Sequence, residues 1–381
     1  MKILIAHNAY REPGGEDAAV LRDRDLLLAR GHAVDLWLRS NERLDGALER
    51  AMAGWRVAFD AGARDAFAAR IALDRPAIVH VHNLVPRLSP AILDAARAAR
   101  VPVVMTLHNY RVACANGMLL RDGRVCELCL GGNPWHAVRH ACYRDSRLAS
   151  LAVARMIARA RRERTWHTKV DRFIALSDFA KAKLIEAGLP EDRIAVRGNF
   201  VADPGPPDAA APRAGFLFVG RLSPEKGIAT LIAAAGRAGV ALSIAGDGPL
   251  AGTLGGAVRR LGRLEPAAVA RAMAGALALV VPSLGYEAFP LVVAEAYAAG
   301  LPVIASRLGA LAELVEDGVT GLHAAPGDAD ELAARLRWAE GNRDAMARMG
   351  RAARARYEAT MAPGPAGDRL LAVYDQAMGH G

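Results

Sequence analysis

The hydrophobic pattern alternates between short apolar runs and longer stretches with helical spacing. Apolar runs of four to eight residues bounded by glycine or polar residues are typical of buried strands, whereas apolar positions recurring every three to four residues indicate helices. This pattern predicts strands at 2–7, 33–38, 78–82, 101–107, 172–176, 215–219, 240–245, 276–281, 302–305 and 321–324. It predicts helices at 16–30, 90–100, 143–169, 227–238, 266–274, 291–299, 310–315, 328–339, 343–359 and 368–378.

Strands that alternate with helices favour a parallel, doubly wound sheet. The stretch 203–212 is rich in proline, glycine and alanine, a composition typical of a linker. We therefore predict an α/β protein with a first Rossmann-like domain at 1–200 and a second at 201–363. A proline and glycine break at 363–367 precedes the last predicted helix.

Composition narrows the class of protein. At 381 residues the chain exceeds one ordinary domain, and 52% hydrophobic with 23% charged residues indicates a globular protein. No uninterrupted apolar run reaches the length of a spanning helix, and the apolar core of the N-terminus is short for a signal peptide. The expectation is a cytoplasmic protein.

The positive charge is unevenly distributed. The net charge is +9, yet residues 1–198 alone carry 32 Lys and Arg against 22 Asp and Glu. Much of this excess lies in the basic amphipathic stretch 143–169, which suggests an anionic membrane surface as a partner at the inner face of the membrane. A solvated arginine-rich helix face explains the same pattern equally well.

One stretch, 280–300, combines a strand, a short loop and a helix start. A loop that leads into a helix offers free backbone N–H groups and the positive end of the helix dipole, which suits a phosphate. Glu287 and Glu295 lie on either side of this point. Because carboxylates repel phosphate, they are better suited to accept hydrogen bonds from sugar hydroxyls on either side of a diphosphate.

This stretch resembles the donor site of retaining family 4 glycosyltransferases, in which two glutamates with seven residues between them flank a Phe-Pro/Gly-Leu turn. The resemblance implies that Glu287 contacts the transferred sugar and Glu295 the ribose. It also implies that a diphosphate lies on the backbone of Ala288, Phe289, Pro290, Leu291 and Val292. The fold that it implies is GT-B, two facing Rossmann-like domains, with a C-terminal helix at 364–381 that completes the first.

Two cations follow the first strand of the second domain in the sequence VGRLSPEKG. Arg221 and Lys226 could neutralise a leaving diphosphate, and the family resemblance implies the same role. The turn 246–249 (GDGP) is interpreted as structural. Arg263 lies where the family places its base-binding strand, and the sequence does not distinguish UDP from GDP.

In the first domain, Gly14 and Gly15 follow the first strand, and the resemblance implies that this loop meets the donor phosphate and the acceptor. The dinucleotide pattern G-x-G-x-x-G is absent from this turn, which argues against a dehydrogenase. His108 ends a parallel strand and, by resemblance, contacts the donor sugar near the reacting centre. His80, His82, Asn83, Arg87 and Ser89 are expected around an acceptor pocket.

All four cysteines lie within 29 residues, inside a predicted insert at 111–145. Four thiolates suit tetrahedral zinc, and disulfides are rare in a cytosolic protein. We predict a structural zinc site formed by Cys114, Cys126, Cys129 and Cys142. Free thiols, two disulfides or an iron–sulfur cluster remain as alternatives.

These observations predict a retaining glycosyltransferase that moves a sugar from a nucleotide diphosphate to a saccharide, lipid-linked acceptor in cell-surface polysaccharide synthesis. No catalytic cofactor and no nucleic-acid partner are expected. The alternatives are a GT-B sugar-nucleotide epimerase and a non-catalytic, basic zinc protein. An acceptor-free product assay separates the epimerase, and salt-dependent nucleic-acid binding without sugar-nucleotide affinity separates the binding protein.

Overall fold

The computed structural model describes residues 1–11, 14–40, 46–206, 212–255 and 258–379. Its strands are β1 (Lys2–Ala9), β2 (Ala33–Ser40), β3 (Ile78–Val81), β4 (Val103–Leu107), β5 (Leu120–Arg121), β6 (Arg124–Val125), β7 (Arg172–Ala175), β8 (Ile194–Val196), β9 (Phe216–Val219), β10 (Leu242–Ala245), β11 (Arg259–Gly262), β12 (Ala278–Val281), β13 (Val303–Ser306) and β14 (Gly321–Ala324).

The helices occupy α1 (Gly15–Ala29), α2 (Ala47–Arg56), α3 (Ala61–Asp74), α4 (Ile92–Ala98), α5 (His136–Arg139), α6 (Arg147–Arg162), α7 (Thr165–Thr168), α8 (Asp178–Glu186), α9 (Ile228–Ala238), α10 (Pro266–Gly275), α11 (Leu291–Ala298), α12 (Ala310–Leu314), α13 (Ala329–Gly341), α14 (Arg343–Thr360) and α15 (Pro363–Met378). Within the described residues, none of them is long and apolar enough to cross a membrane.

The chain divides into two compact units. Unit 1 comprises Met1–Leu119, Cys126–Gly198 and Ala366–Gly381, and unit 2 comprises Leu120–Val125 and Asn199–Pro365. The predicted linker at 203–212 falls partly on residues outside the described ranges. Each unit has a parallel six-stranded sheet with helices packed on it, so the prediction of two doubly wound α/β domains is confirmed.

The strand order places a crevice in each sheet. In unit 2 the order is β11-β10-β9-β12-β13-β14. Strands β10 and β11 extend the sheet on one side of β9 and strands β12 to β14 on the other, so the topological switch point lies between β9 and β12. In unit 1 the order is β2-β1-β3-β4-β7-β8, with the switch point between β1 and β3. Ligands of open α/β sheets bind outside the carboxyl ends of the strands at such switch points. The loops after these four strands are therefore the places to look for a site.

Each sheet is held by a layer of apolar side chains. In unit 2, Phe216, Ile244 and Val280 from three neighbouring strands are buried against helices α9 and α13. In unit 1, Ile3, Ile78 and further strand residues form a core that also receives Leu370, Val373 and Tyr374 from α15. Burial of these side chains stabilises the sheets that hold the strand-end loops in place.

Two of the predicted helices are wrong in their extent. The stretch 143–169 is not one helix, because α6 ends at Arg162 and Arg164 adopts a left-handed conformation (φ 50°) before the short α7. The C-terminal helix begins at Pro363 rather than after a break at 363–367. Proline is tolerated in the first turn of a helix, where its missing N–H has no helical partner to lose.

Candidate functional site

The switch point of unit 2 brings the two polar loops of the sequence prediction together. The loop after β9 and the loop after β12 are tied by a backbone hydrogen bond from the N–H of Leu284 to the carbonyl of Glu225 (2.8 Å). Gly227 ends the first loop with φ 70°, and a Cβ at this position would lie 2.0 Å from the carbonyl oxygen of Pro282. A residue without a side chain is therefore required for this approach.

The close approach of these loops joins Lys226 to Glu287. The Lys226 ammonium donates to Glu287 Oε1 at 2.6 Å, and the Ser283 hydroxyl donates to the same oxygen at 2.8 Å. Both charged side chains are partly buried, 28% exposed for Lys226 and 18% for Glu287. The two residues are 61 positions apart in the sequence and meet because β9 and β12 are adjacent.

The ionisation of Glu287 follows from these contacts. Burial acts to raise the pKa of its carboxyl group, but the charge of Lys226 and the hydrogen bonds from Lys226 and Ser283 outweigh burial and lower the pKa below its ordinary value. Glu287 is therefore a carboxylate at neutral pH and a hydrogen-bond acceptor. One oxygen, Oε1, takes both described hydrogen bonds.

The start of α11 adjoins this ion pair in sequence. Pro290 precedes the helix, has no N–H and makes no side-chain cap, so the first turn lacks a capping side chain. An uncapped first turn leaves donor N–H groups at the positive end of the helix dipole, which favours an anion. Phe289 and Pro290 are buried, whereas Leu291, Val292 and Glu295 are half-buried.

The other predicted donor-site residues lie on neighbouring loops of unit 2. Arg221 follows β9 and is exposed. Arg263 directly follows β11 and is also exposed. Neither side chain makes a hydrogen bond to the Lys226–Glu287 pair within the described residues. The GDGP turn is packed tightly, since a Cβ on Gly246 would lie 1.9 Å from the carbonyl of Gly220, as its structural interpretation requires.

In unit 1, His108 and His82 form a pair of imidazoles beyond β4 and β3. His82 Nδ1 and His108 Nε2 share a hydrogen bond of 2.9 Å, and the rings stack with centroids 5.2 Å apart. Burial lowers the pKa of both histidines. Both rings are therefore neutral at pH 7, and one proton bridges the pair. His82 Nε2 is buried with no hydrogen-bond partner in the described chain.

His80 belongs to the packing of unit 1 rather than to a binding pocket. Its Nδ1 pairs with the Tyr374 hydroxyl and its Nε2 with the Thr106 hydroxyl, both at 2.8 Å. Burial lowers the pKa of His80 to about 3. Likewise, the Ser89 hydroxyl accepts the backbone N–H groups of Asp60 and Ala91, so it too has a structural role. The expectation that these two residues line an acceptor pocket is not supported.

Among the described residues, one group of metal-ligand type has all its ligand atoms within 4.8 Å of one another: Asp23, His80 and His82. Arg197 donates to both carboxylate oxygens of Asp23, at 2.6 and 3.2 Å. Because both nitrogens of His80 are also engaged, the arrangement is that of a buried hydrogen-bond network and not of a metal centre.

The glycine loop of unit 1 is shaped by Asp17. Gly14 caps α1, and its N–H donates to Asp17 Oδ2 at 2.8 Å, while Asp17 Oδ1 accepts from Tyr10 and pairs with His7 Nε2. Gly15 opens the helix. These contacts satisfy the helix start internally, so Asp17 is a structural residue. They leave Glu16 as the acidic side chain that extends from this loop.

Glu16 and His108 line the same cavity. Its polar lining includes Asn109, which donates to Glu16 at 3.4 Å, and Arg111. The cavity has about 390 Å³ of space free of atoms, including its open mouth. Glu16 also accepts the hydroxyl of Tyr10 at 2.8 Å. Sequence reasoning missed Arg111, which follows the His108 strand and packs over the ring of Tyr143.

The four cysteines are free thiols in the structure. Cys114 and Cys129 are buried, whereas Cys126 and Cys142 are half-buried. No three of their sulfur atoms lie within 4.8 Å of one another in the described chain. The predicted zinc site is thus not closed in this structure.

Comparison with known protein families assigns the sequence to a family. The family description "Glycosyltransferase Family 4" matches residues 24–203, and "Glycosyl transferases group 1" matches residues 207–356. Together they cover most of both units. The chain belongs to the family 4 glycosyltransferases. The predicted family is therefore confirmed.

Two curated relatives resemble part of this chain. The phosphatidyl-myo-inositol mannosyltransferase of Mycobacterium leprae is 36% identical over 195 residues, which are 46% of this chain and 52% of that protein. The glycogen synthase of Mycobacterium tuberculosis is 37% identical over 191 residues, 46% of each chain. The chain thus spans about half the length of the curated relatives that it matches.

Solved structures share the fold over nearly the whole length. Anabaena HepE in complex with UDP has a TM-score of 0.67 at 20% identity and covers 98% of this chain and 99% of its own. The sucrose-phosphate synthase of Thermosynechococcus elongatus has a TM-score of 0.69 at 20% identity, with both chains fully covered. At these identities the likeness concerns the fold, and it agrees with the predicted GT-B class.

Proposed function

We propose that this protein transfers a sugar from a nucleotide diphosphate donor to a saccharide acceptor with retention of the anomeric configuration. The observation that carries the proposal is the Lys226–Glu287 pair at the switch point of unit 2, beside the uncapped start of α11. A cation and helix N–H groups suit a diphosphate, and an ionised carboxylate suits sugar hydroxyls.

The donor roles are assigned here as the family resemblance implies them. Lys226 and the exposed Arg221 neutralise the leaving diphosphate, while backbone N–H groups of Ala288, Phe289, Leu291 and Val292 hold its oxygens. Glu287 accepts from hydroxyls of the transferred sugar, Glu295 from the ribose, and the backbone at Arg263 meets the base. UDP is the first nucleotide to test, because HepE, which shares the fold, binds it.

Lys226 has a second task in this scheme. In the ligand-free chain its charge is matched by Glu287, so neither half-buried charge is left alone. An arriving diphosphate competes with Glu287 for the ammonium group, and the carboxylate oxygens then become available to sugar hydroxyls. Donor binding and orientation of Glu287 are coupled through one lysine.

On the acceptor side, the neutral imidazole of His108 and the side chain of Glu16, both in unit 1, offer hydrogen-bonding groups for sugar hydroxyls. No carboxylate is assigned as a covalent nucleophile. Catalysis rests on stabilising the leaving diphosphate and orienting the acceptor so that it attacks the face from which the diphosphate departs. The name of the mycobacterial mannosyltransferase supports a lipid-linked acceptor, as in the synthesis of cell-surface polysaccharide.

Unit 1 presents a surface suited to an anionic membrane. Leu148 on α6 is 80% exposed and Trp55 on α2 is 70% exposed. The Arg155 guanidinium lies 4.2 Å from the centre of the Trp55 ring. Exposed apolar side chains among arginines are typical of interfacial helices. We propose peripheral association, tested by flotation with anionic and neutral vesicles, in which the double variant Leu148→Glu/Trp55→Glu should lose binding.

A thermal-shift screen of nucleotide sugars tests the donor assignment, and NMR of the product tests retention. A stabilising sugar nucleotide whose sugar appears on an acceptor with unchanged anomeric configuration supports the proposal. Conversion of the donor without acceptor to an isomeric sugar nucleotide would instead establish the epimerase. Absence of any stabilising nucleotide would overturn the donor site itself.

A further inference from the structure

The four cysteines are not used by the proposed transfer reaction, yet the chain brings them to one place in unit 1. The antiparallel hairpin of β5 and β6 separates Cys114 from Cys126. The N–H of Cys126 donates to the carbonyl of Leu119 at 2.8 Å, which returns the chain to the loop that follows Cys114. The first two cysteines are therefore neighbours through this hairpin.

The other two cysteines meet through α5. The N–H of Cys142 donates to the carbonyl of Ala137 at 3.0 Å, and the backbone N–H of Ala137 is a hydrogen-bond donor to the Cys129 sulfur. Since Cys126 and Cys129 are three positions apart in one turn, that turn links the first pair of cysteines to the second. Cys129 is close enough to Cys114, Cys126 and Cys142 to interact with each of them electrostatically.

The sulfur of Cys114 lies in a nest of backbone donors. The backbone N–H groups of Asn116, Gly117, Met118 and Leu119 lie close to it. Those of Gly117 and Met118 also donate to the Cys114 carbonyl (3.0 Å) and to Asn116 Oδ1 (2.9 Å). Such N–H groups stabilise a thiolate rather than a thiol and are typical of the outer shell of metal-bound cysteine. Gly117 provides the left-handed turn (φ 77°) that this nest requires.

The backbone of the cluster is fixed from outside. Arg161 on α6 donates to the carbonyls of Cys129 (2.9 Å) and Leu130 (2.8 Å), and Lys183 on α8 pairs with Glu127 at 2.9 Å. These contacts anchor the C-x-x-C turn to two helices. Only the thiol side chains then have to move closer together to bind the ion. A tetrahedral zinc site with Zn–S of about 2.3 Å requires sulfur atoms about 3.8 Å apart.

We propose that Cys114, Cys126, Cys129 and Cys142 bind one structural Zn²⁺ through four thiolates, and that the ion holds together the loops of unit 1 that carry these cysteines. Binding releases the thiol protons to solvent and involves no redox change. Four thiolates with no open position leave no place for a catalytic water, so the ion has a structural role. The proposal is independent of the proposed transfer reaction.

The test is metal analysis of the full-length protein purified from zinc-containing medium. We expect one equivalent of zinc by elemental analysis and a native mass that is one zinc ion above the chain, with the thiol protons lost. Removal of the ion by a chelator should lower the Tm by several degrees, and added Zn²⁺ should restore it. Binding of the sugar nucleotide is measured in parallel by thermal shift. A protein that binds zinc but no sugar nucleotide would contradict the proposed transfer reaction and leave the zinc proposal intact.

Variants locate the site. Cys129→Ser should lose the bound zinc, whereas Leu128→Ser, an exposed neighbour in the same turn, should keep one equivalent. If Cys129→Ser fails to fold, the chelation and readdition experiment on the unaltered chain still decides. Four titratable thiols in folded protein supplied with zinc, a mass short of four hydrogens from two disulfides, or bound iron in place of zinc would each overturn the proposal.

Discussion

The carboxyl ends of the two parallel sheets carry opposite kinds of polar chemistry. In unit 2 the switch point holds an ion pair, Lys226 and Glu287, beside an uncapped helix start. In unit 1 the corresponding edge holds neutral imidazoles, His82 and His108, whose pKa values burial lowers. The same fold therefore provides one edge suited to a charged group and another suited to uncharged hydroxyls.

This difference explains why the two edges place different demands on the protein. A diphosphate is charged when it binds and gains a further negative charge as its bond to the sugar breaks, so fixed charges and helix N–H groups are the appropriate partners. An acceptor hydroxyl is neutral until it attacks, and the neutral imidazoles of His82 and His108 suit it as hydrogen-bond partners in a cavity that Glu16 and Arg111 also line. The predictions below test whether the charged edge and the neutral edge act separately.

The largest expected effect concerns the charge of Glu287. Glu287→Gln preserves size but removes the negative charge that Lys226 pairs with, so turnover should fall by roughly two to three orders of magnitude. Steady-state kinetics with the donor found by the thermal-shift screen measures the loss. Glu316→Gln, at an exposed carboxylate of the same unit, serves as the control and should retain full turnover. Equal turnover in both variants would show that the carboxylate has no part in catalysis.

The second effect tests the close approach of the two loops in unit 2. Gly227→Ala should disrupt the site, because its Cβ would lie 2.0 Å from Pro282. Gly239→Ala is a matched control, since Gly239 has a similar φ of 68° but no atom within 4 Å of its Cβ position. Calorimetry with UDP should show at least tenfold weaker binding for Gly227→Ala alone, a loss of about 1.4 kcal/mol. Similar losses in both variants would mean that backbone strain, not loop contact, controls binding.

The third effect tests the neutral edge. His108→Ala should lower turnover by about tenfold to a hundredfold, while the affinity for UDP stays unchanged. His82→Asn, which can keep a hydrogen bond to His108, should lie between His108→Ala and the unaltered protein. Kinetics and calorimetry on the same samples separate the two readouts. A loss of UDP affinity in His108→Ala would contradict the separation of the edges.

The smallest effect is a pH dependence of stability. His80 has a pKa of about 3 in the folded chain and an ordinary value of 6.5 when unfolded, so the unfolded state binds the extra proton between these values. Its contribution is intact above about pH 6.5 and is lost as pH falls, by about 2 kcal/mol at pH 5. Denaturant unfolding at pH 7 and pH 5 should show a smaller difference for His80→Gln. An equal difference in both proteins would place the acid sensitivity elsewhere.

The sheet architecture was predictable from sequence because buried parallel strands are continuous apolar runs. Every predicted strand is present, with ends displaced by one or two residues. Helices α2, α3, α5 and α8 and strands β5, β6, β8 and β11 were missed. The helix at 143–169 was predicted too long, since the left-handed Arg164 between α6 and α7 leaves no mark in the apolar spacing.

The site was only partly predictable. Motifs identify Lys226 and Glu287 separately, but their contact depends on the adjacency of β9 and β12, which no local pattern encodes. Similarly, the Tyr374–His80 hydrogen bond joins residues 294 positions apart, so the structural role of His80 was not visible. The roles of Arg111 and Glu16 in the cavity of unit 1 also depend on tertiary packing.

The central claim is that unit 2 holds a nucleotide diphosphate through Lys226. Calorimetric titration of UDP into the unaltered protein, Lys226→Ala and the control Arg237→Ala tests it most directly. Arg237 is an exposed cation on α9 that pairs with Asp330. Lys226→Ala should bind UDP about tenfold to a hundredfold more weakly, with Arg237→Ala unchanged. Undiminished UDP affinity in Lys226→Ala, or no UDP binding by the unaltered protein, would contradict the account.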